Sequence, residues 1–356
     1  LPYIAQEITK DPEQTIAATV ERVMGKITVT AGGTNASSAA TANKYTSFST
    51  TVTAIGNITD ITLKNYYVVN ARKEGYYFRH VDKESTVTNP LTEANYGNSS
   101  ATLPYVTDPK TYNKTYTSTP ALANSYGDWY LQGSSAFGLL SFGTFSGTYT
   151  DMPGYSSGAV ETKVAAYCYE NTMLKDKQKN GYTTGIVFKA EIAPSKMMQK
   201  KSSGDGVEET TTIGSIGEIF YHSGIFYKDI EALKEAGVLL ADGTTSSSAS
   251  GAPADLKKND VQCFKKGNTD GKFFCYYPYW IKHLPSDTAE DVMEFGIVRN
   301  NVYQVTVASI QGVGKDGVTE NIITDTETDD PTTVLLNVKL SIKPWVVRTN
   351  SAVLGR

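Results

Sequence analysis

The sequence predicts an all-β protein whose strands pack as sandwiches. Its 23 tyrosines stand beside only 3 histidines, and Thr, Ser, Asn and Gly crowd the chain. That composition favours pleated, half-buried surfaces and tight turns over helices. Apolar–polar alternation recurs in separate segments, as in VERVMGKITVT and VLLNVKLSI. These segments are spaced by turn signals rather than by helices, which argues for sandwiches and against a parallel sheet. With 356 residues, 40% of them hydrophobic, the chain suffices for about two domains, each with a core of its own.

The elements follow in order. VERVMGKITVT puts Val23, Ile27 and Val29 on one face and Met24, Lys26 and Thr28 on the other, the period of a strand packed on one side. DITLKNYYVVNAR gives Ile61 and Leu63, then the aromatic and β-branched run Tyr66 to Val69, a second strand. Between Ala31 and Thr51, and from Val87 to Tyr126, the residues turn to Thr, Asn, Ser, Gly and Pro and read as surface loops. The middle of the chain runs from a Gly/Ser turn through a strand-like segment and a charged crossing into an alternating strand with Ile186, Phe188 and Ala190. A domain boundary is expected near residue 165, dividing 1–165 from 166–356. YKDIEALKEAGVLL spaces Ile230, Leu233 and Ala236 for one helical face with Gly237 near its end, a short helix lying as a lid on a sheet. FFCYYPYWIKHL, MEFGIVRNNVYQVTVASIQGVG and a C-terminal strand follow; in the last, Val334, Leu336, Val338, Leu340 and Ile342 share one face.

Charge and motifs exclude several classes. The net charge is -4, with Lys and Arg scattered, so no electrostatic footprint for nucleic acid or an anionic membrane is present. No stretch approaches the roughly 20 apolar residues of a membrane helix, and the first residues lack the regions of a signal peptide, so the chain reads as soluble or as a processed form of something longer. Cys168, Cys263 and Cys275 show no CxxC spacing; they read as buried thiols, with a Cys263–Cys275 bridge as the alternative. His80, His222 and His283 have no neighbouring histidine and read as ordinary packed or surface residues. GVGKDG, from Gly312 to Gly317, has Asp after Lys315 where a phosphate loop needs Ser or Thr, and reads as a hairpin turn. TDTETDD, from Thr324 to Asp330, reads as a solvated acidic loop, a calcium site being the alternative. Nothing points to a glycosidase carboxylate pair. No catalytic, cofactor-binding or metal-ligating residue is expected.

VERVMGKITVT, AAYCYENTM with QKNGYTTGIVFKAEI, YYPYWIKHL with VMEFGIVRNNVYQVTVASIQGVG, and LNVKLSIKPWVVR, in this order and spacing, resemble the major fimbrial subunits, or fimbrillins, of Bacteroidetes type V pili. The similarity is greatest to the short-fimbria shaft branch and is strongest from about Ala165 onward. It implies two Greek-key, transthyretin-like β-sandwich domains in tandem with minor short helices. It also implies a lipoprotein precursor at the outer membrane, trimmed of an N-terminal strand by an arginine-specific protease, and polymerisation into a cell-surface fimbria for adhesion and biofilm formation. Partners so implied are identical subunits in a head-to-tail polymer, anchor and tip subunits, and host or bacterial surface receptors. The first arginine, Arg22, falls inside the first expected strand, so Leu1 is expected to follow the processing site already, although an artificial boundary would look the same. Asp287, Thr288 and Ala289 form a DTA resembling the O-glycosylation signal of this phylum; an unmodified loop is the plainer reading.

A second extended segment, WVVRTNSAVL, follows Pro344. Trp345, Val347 and Val353 fall on one of its faces and Val346, Ala352 and Leu354 on the other, while Pro344 interrupts pairing with the strand before it and acts as a hinge. A sandwich that has lost an edge strand is a template for such a segment. The resemblance implies that the tail is a donor strand entering the N-terminal sandwich of a neighbour, whose first strand carries Val23, Ile27 and Val29; the alternative is a terminal strand folded onto its own sheet. The closing LGR leaves the donor register open. A head-to-tail contact whose rotation does not close makes a filament. A tip or accessory adhesin needs a groove but no donor. A carbohydrate-binding module would use the tyrosines and Trp129, and neither it nor a secreted hydrolase would need to form ladders of subunits, so self-association separates a shaft subunit from both.

Overall fold

A computed structural model describes residues 15–18, 22–46, 58–72, 75–77, 80–82, 105–107, 129–130, 150–172, 178, 183–238, 256, 259–283, 294–317, 336–344 and 350–353. The chain begins with β1 (Thr15–Ala18), β2 (Gly25–Thr30), β3 (Lys44–Tyr45) and β4 (Ile58–Val69). Short strands β5 (Ala71–Arg72), β6 (His80–Asp82), β7 (Tyr105–Thr107), β8 (Trp129–Tyr130), β9 (Thr150–Asp151), β10 (Tyr155–Ser156) and β11 (Ala159–Val160) come next. Then follow β12 (Thr162–Cys168), β13 (Gly185–Pro194), β14 (Met197–Lys200), β15 (Val207–Thr210), β16 (Glu218–His222), β17 (Ile225–Tyr227) and the helix α1 (Ile230–Glu235). The chain closes with β18 (Gln262–Lys265), β19 (Phe273–Trp280), β20 (Asn301–Ile310), β21 (Leu336–Pro344) and β22 (Asn350–Val353). The fold is all-β, with α1 its one helix of described extent.

Two sheets face each other. One has the order β12-β2-β20-β21 and the other β19-β13-β4-β3, with β9 also on β4. Ile27 and Val29 of β2 and Tyr303, Val305 and Val307 of β20 meet Ile61, Leu63, Tyr66 and Val68 of β4 and Ile186, Phe188, Ala190 and Ile192 of β13 in one core. β4 supplies odd-numbered residues and then even-numbered ones to this core because its pairing with β13 slips between Lys189 and Ala190, leaving Lys64 as the extra residue of a bulge. Without that bulge a strict period of two would turn Tyr66 and Val68 to the opposite face. The second sheet is apolar on its other face too, where Tyr67, Val69, Val187, Tyr276, Trp280 and Phe295 cluster.

A third sheet, β15-β14-β17-β16-β18, grows from the end of β13. Met197, Ile219, Phe226 and Phe264 give it a face on the main core. On its other face, Phe220, Tyr227 and Cys263 pack with Ala232 and Leu233 of α1. The helix starts where the Asp229 side chain accepts a hydrogen bond from the Ala232 N–H at 2.8 Å, and it ends before Gly237, whose φ of +69° is the left-handed exit that glycine tolerates. The expected lid on a sheet is thus in place. Two hairpins, β10–β11 and β16–β17, turn on Ser-Gly pairs, Ser157-Gly158 and Ser223-Gly224, with positive φ at both residues, the turn whose twist matches that of paired strands.

Several expectations need correction. Residue 165, the expected boundary between 1–165 and 166–356, lies inside β12, and strands from both sides of it share both sandwich sheets: β2 sits between β12 and β20, and β4 beside β13. The composition shift there marks a hairpin feeding an edge strand, not a linker. The described pairings of the two sandwich sheets are antiparallel except that of β2 with β20, which run parallel. Val23 lies in a bend ahead of β2 and is half-buried, and Arg22 precedes the strand instead of standing inside it. The expected loop after Ala31 contains β3, and that from Val87 to Tyr126 contains β7, paired with β6. Gly312 to Gly317 does not form a hairpin turn: Lys315 makes a two-way backbone bridge to Tyr276 of β19, at 2.8 and 2.7 Å.

Candidate functional site

The site begins at β21, whose alternation is that read from the sequence. Leu336 is buried, Val338, Leu340 and Ile342 pack partly buried against the main core, and Lys339 and Lys343 are exposed. Among the described residues β21 pairs with β20 alone, from Asn301 opposite Pro344 to Ile310 opposite Leu336, so its outer edge carries backbone N–H and C=O groups that no described strand takes up. Pro344 closes the ladder because it has no N–H to give. Between this edge and the end of β19 lies a cleft of about 470 Å³ lined by Val338, Leu340, Ile342, Tyr279, Lys282 and His283. It is the mouth of the sandwich, where the two sheets part.

The floor of the mouth is held by Tyr303, which is fully buried. Its hydroxyl accepts the Val298 N–H at 2.8 Å and lies 2.8 Å from His283 Nδ1. Burial holds the His283 ring below the usual histidine range, which favours the neutral imidazole at the mouth. Burial also raises the Tyr303 phenol, which stays protonated in this hydrogen bond with the ring nitrogen. Lys282 reaches Glu294 at 2.9 Å and lies over the Phe295 ring, 4.9 Å from its centroid. These contacts fix one rim while the β21 wall stays apolar.

Of the expected donor residues, Ala352 and Val353 lie in β22, which pairs antiparallel with β1: Thr15 is opposite Val353, Ile16 opposite Ala352, Ala17 opposite Ser351 and Ala18 opposite Asn350. That ladder is a two-stranded sheet separate from both sandwich sheets. Trp345, Val346, Val347 and Leu354 lie outside the described residues, as do Val334, the TDTETDD segment and the DTA at 287–289. Ile27 and Val29 are buried in the core, but β2 has a strand on each side, so it does not itself offer a free edge. Trp129 is in β8, paired with β5.

Two further polar clusters tie distant parts of the chain together. Arg299 and Glu170 form a buried pair at 2.7 Å, and Arg299 also donates to the carbonyls of Tyr76 and Tyr77 at 2.8 and 2.9 Å, fastening that loop to the sandwich. Asn70, left-handed at φ +54°, ends β4 and donates to the Thr183 carbonyl at 3.1 Å, while Thr184 donates to the Asn70 carbonyl at 2.8 Å. Sequence reasoning finds neither cluster, since each joins residues far apart in the chain. The three cysteines are free and buried, which agrees with the thiol reading and not with a Cys263–Cys275 bridge. Among the described residues no group of three or more His, Cys, Asp or Glu could hold a metal ion. A second cleft, of about 640 Å³, lies between α1 and the third sheet, where Lys228 and Lys265 mix with Glu218, Asp229 and Glu231; Lys265 pairs with Glu218. No helix among the described residues is long and apolar enough to cross a membrane.

Residues 269–351 match the family described as major fimbrial subunit protein type IV, fimbrillin, C-terminal. The matched stretch contains β19, β20, β21 and the whole lining of the sandwich mouth. It supports the fimbrillin resemblance and with it the class of fimbrial subunits, structural rather than enzymatic proteins of a cell-surface fimbria. No curated protein matches the chain.

Proposed function

We propose that the protein is a shaft subunit of a cell-surface fimbria and that it polymerises by strand exchange, its tail from Trp345 to Leu354 completing the sandwich of the next subunit. The observation that carries this reading is the state of β22. It is extended and capable of pairing, yet among the described residues it is joined to β1 alone, in a ladder separate from either sandwich sheet. An isolated two-stranded ribbon is marginal in water, whereas a strand added to a sheet edge over an apolar cleft gains a backbone ladder and buries its side chains. Each large apolar side chain fully buried in this way contributes about 1.5–3 kcal/mol. A fibre of this kind adheres through subunits at its tip and sits on anchor subunits at the outer membrane, and an arginine-specific protease starts its assembly. Adhesion and biofilm formation are its roles.

Replacing Val347 or Val353 with Asp puts an unpaired charge where the tail must be buried. The purified wild-type chain should form fibres or ladders of subunits by electron microscopy and sedimentation, and either variant should stay monomeric. Variants that polymerise like wild type would refute the reading.

A further inference from the structure

We infer that exposed tyrosines at the end of β12 form a platform on which a neutral oligosaccharide stacks. Among the described residues the exposed large apolar side chains are Tyr77, Val160, Val164, Tyr167 and Ile225. Ile225 belongs to β17, but the others lie along β11 and β12 or on the loop fastened to the end of β12. In register, Val164 stands opposite Thr28 and Tyr167 opposite Lys26, and these alternate with the core residues Ile27 and Val29 of β2. Val164 and Tyr167 therefore share the outer face of the sheet. The loop that carries Tyr77 is held firmly beside them. Gly75 packs so closely on the Tyr169 ring that a Cβ would stand 2.3 Å from a ring carbon, and the Arg299 guanidinium, paired with Glu170, holds the Tyr76 and Tyr77 carbonyls at 2.8 and 2.9 Å. The backbone is thus fixed while Tyr77 stays 81% exposed and Tyr167 52%. A tyrosine presented on a held backbone has little conformational freedom left to lose on binding.

Three features select the occupant. Tyrosine rings offer the C–H faces of a pyranose an apolar, uncharged surface with a polar tip. Next to Val164 on the same outer face, Thr30 meets Thr162 at 2.8 Å and Gln304 donates to Thr30 at 2.9 Å, a border of hydroxyls and an amide suited to sugar hydroxyls. Neither β2 nor β12 contains an acidic residue, so the face has nothing to draw a cation. A stable protein interface takes about 20–30 residues from each partner, far more than these few side chains, whereas a di- or trisaccharide covers no more than they offer. The inference does not depend on how subunits join. In the fibre proposed above every subunit repeats the platform, so weak single contacts add up to avidity.

Saturation-transfer NMR on the full chain tests this, with lactose, maltotriose and triacetylchitotriose as neutral probes and sialyllactose as the acidic counterpart of lactose. Transfer to the ring C–H protons of at least one neutral probe is expected. Tyr77→Ala and Tyr167→Ala should each weaken that binding at least about threefold, and Tyr77→Phe, which keeps the ring, less than about twofold. The melting transition should stay in place in all of them, because neither ring belongs to the core. No transfer to any neutral probe, or wild-type binding by both alanine variants, overturns the assignment. Sialyllactose bound more tightly than lactose, and released by salt, also overturns it, since charge at Lys26 rather than ring stacking would then select the ligand. Tyr77→Ala that weakens self-association while sugar binding is absent overturns it in favour of a contact between copies.

Discussion

Arg299 shows what a single buried charge does in this fold. Its guanidinium is held by Glu170 and by two loop carbonyls, with side-chain exposures of 3% and 7% for the pair. Removing one partner leaves the other charged and dry, so Arg299→Met should lower stability in urea denaturation by about 3–5 kcal/mol. Lys266→Ala breaks an ion pair with Asp270 of 2.6 Å, but that pair is exposed at 37% and 66%, and the change should leave the urea midpoint where it is. The cysteines give a pH signature. Burial pushes the thiols of Cys168 and Cys275 up to about 12 from 9.0, so the folded state binds protons that the unfolded state has lost. The stabilisation is full below pH 9 and is lost as pH rises towards 12. Denaturation midpoints should therefore fall steadily above pH 9, and the same thiols should resist alkylation near pH 8 until denaturant is added. A midpoint flat across that window would mean that these thiols are not buried.

At the level of single elements, close packing sets the constraints. A Cβ at Gly185 would stand 2.3 Å from a Trp280 ring carbon, so Gly185→Ala must shift β13 against β19; it should destabilise the protein and alter the Trp280 fluorescence. Asp229→Ala removes the cap of α1 and should cost about 1 kcal/mol in thermal unfolding without disturbing the sandwich, since the helix lies on the third sheet. These elements also show how far the sequence was legible. The alternation of β2, β13 and β21 and the face and ends of α1 follow from local periodicity and caps, so they could be read from short windows. The bulge at Lys64 could not, because it exists only in the pairing of β4 with β13. Nor could the second apolar face around Tyr67 and Val187, since burial on both faces erases the alternation that a one-sided strand shows. The mouth was half legible: Val338, Leu340 and Ile342 were readable as one face, but Tyr279 and His283 reach it only through the packing of two sheets.

For the whole molecule, the decisive pairings are between distant parts of the chain. β2 lies between β12 and β20, so the sandwich closes only when residues 25–30 and 301–310 meet, which no compositional boundary near residue 165 could foretell. Such non-local pairing predicts slow folding, in the range of milliseconds to seconds, that stopped-flow refolding can check. Among the described residues the same topology leaves β21 on an edge, immediately before the tail proposed as donor. The central claim is that the tail joins subunits and does not hold its own subunit together. Deleting Trp345 to Arg356 and following both melting and fibre formation tests this most directly. The account predicts a cooperative unfolding transition close to that of the intact chain and no fibres by electron microscopy. A truncated chain that is unfolded, or one that polymerises at the wild-type rate, would contradict it.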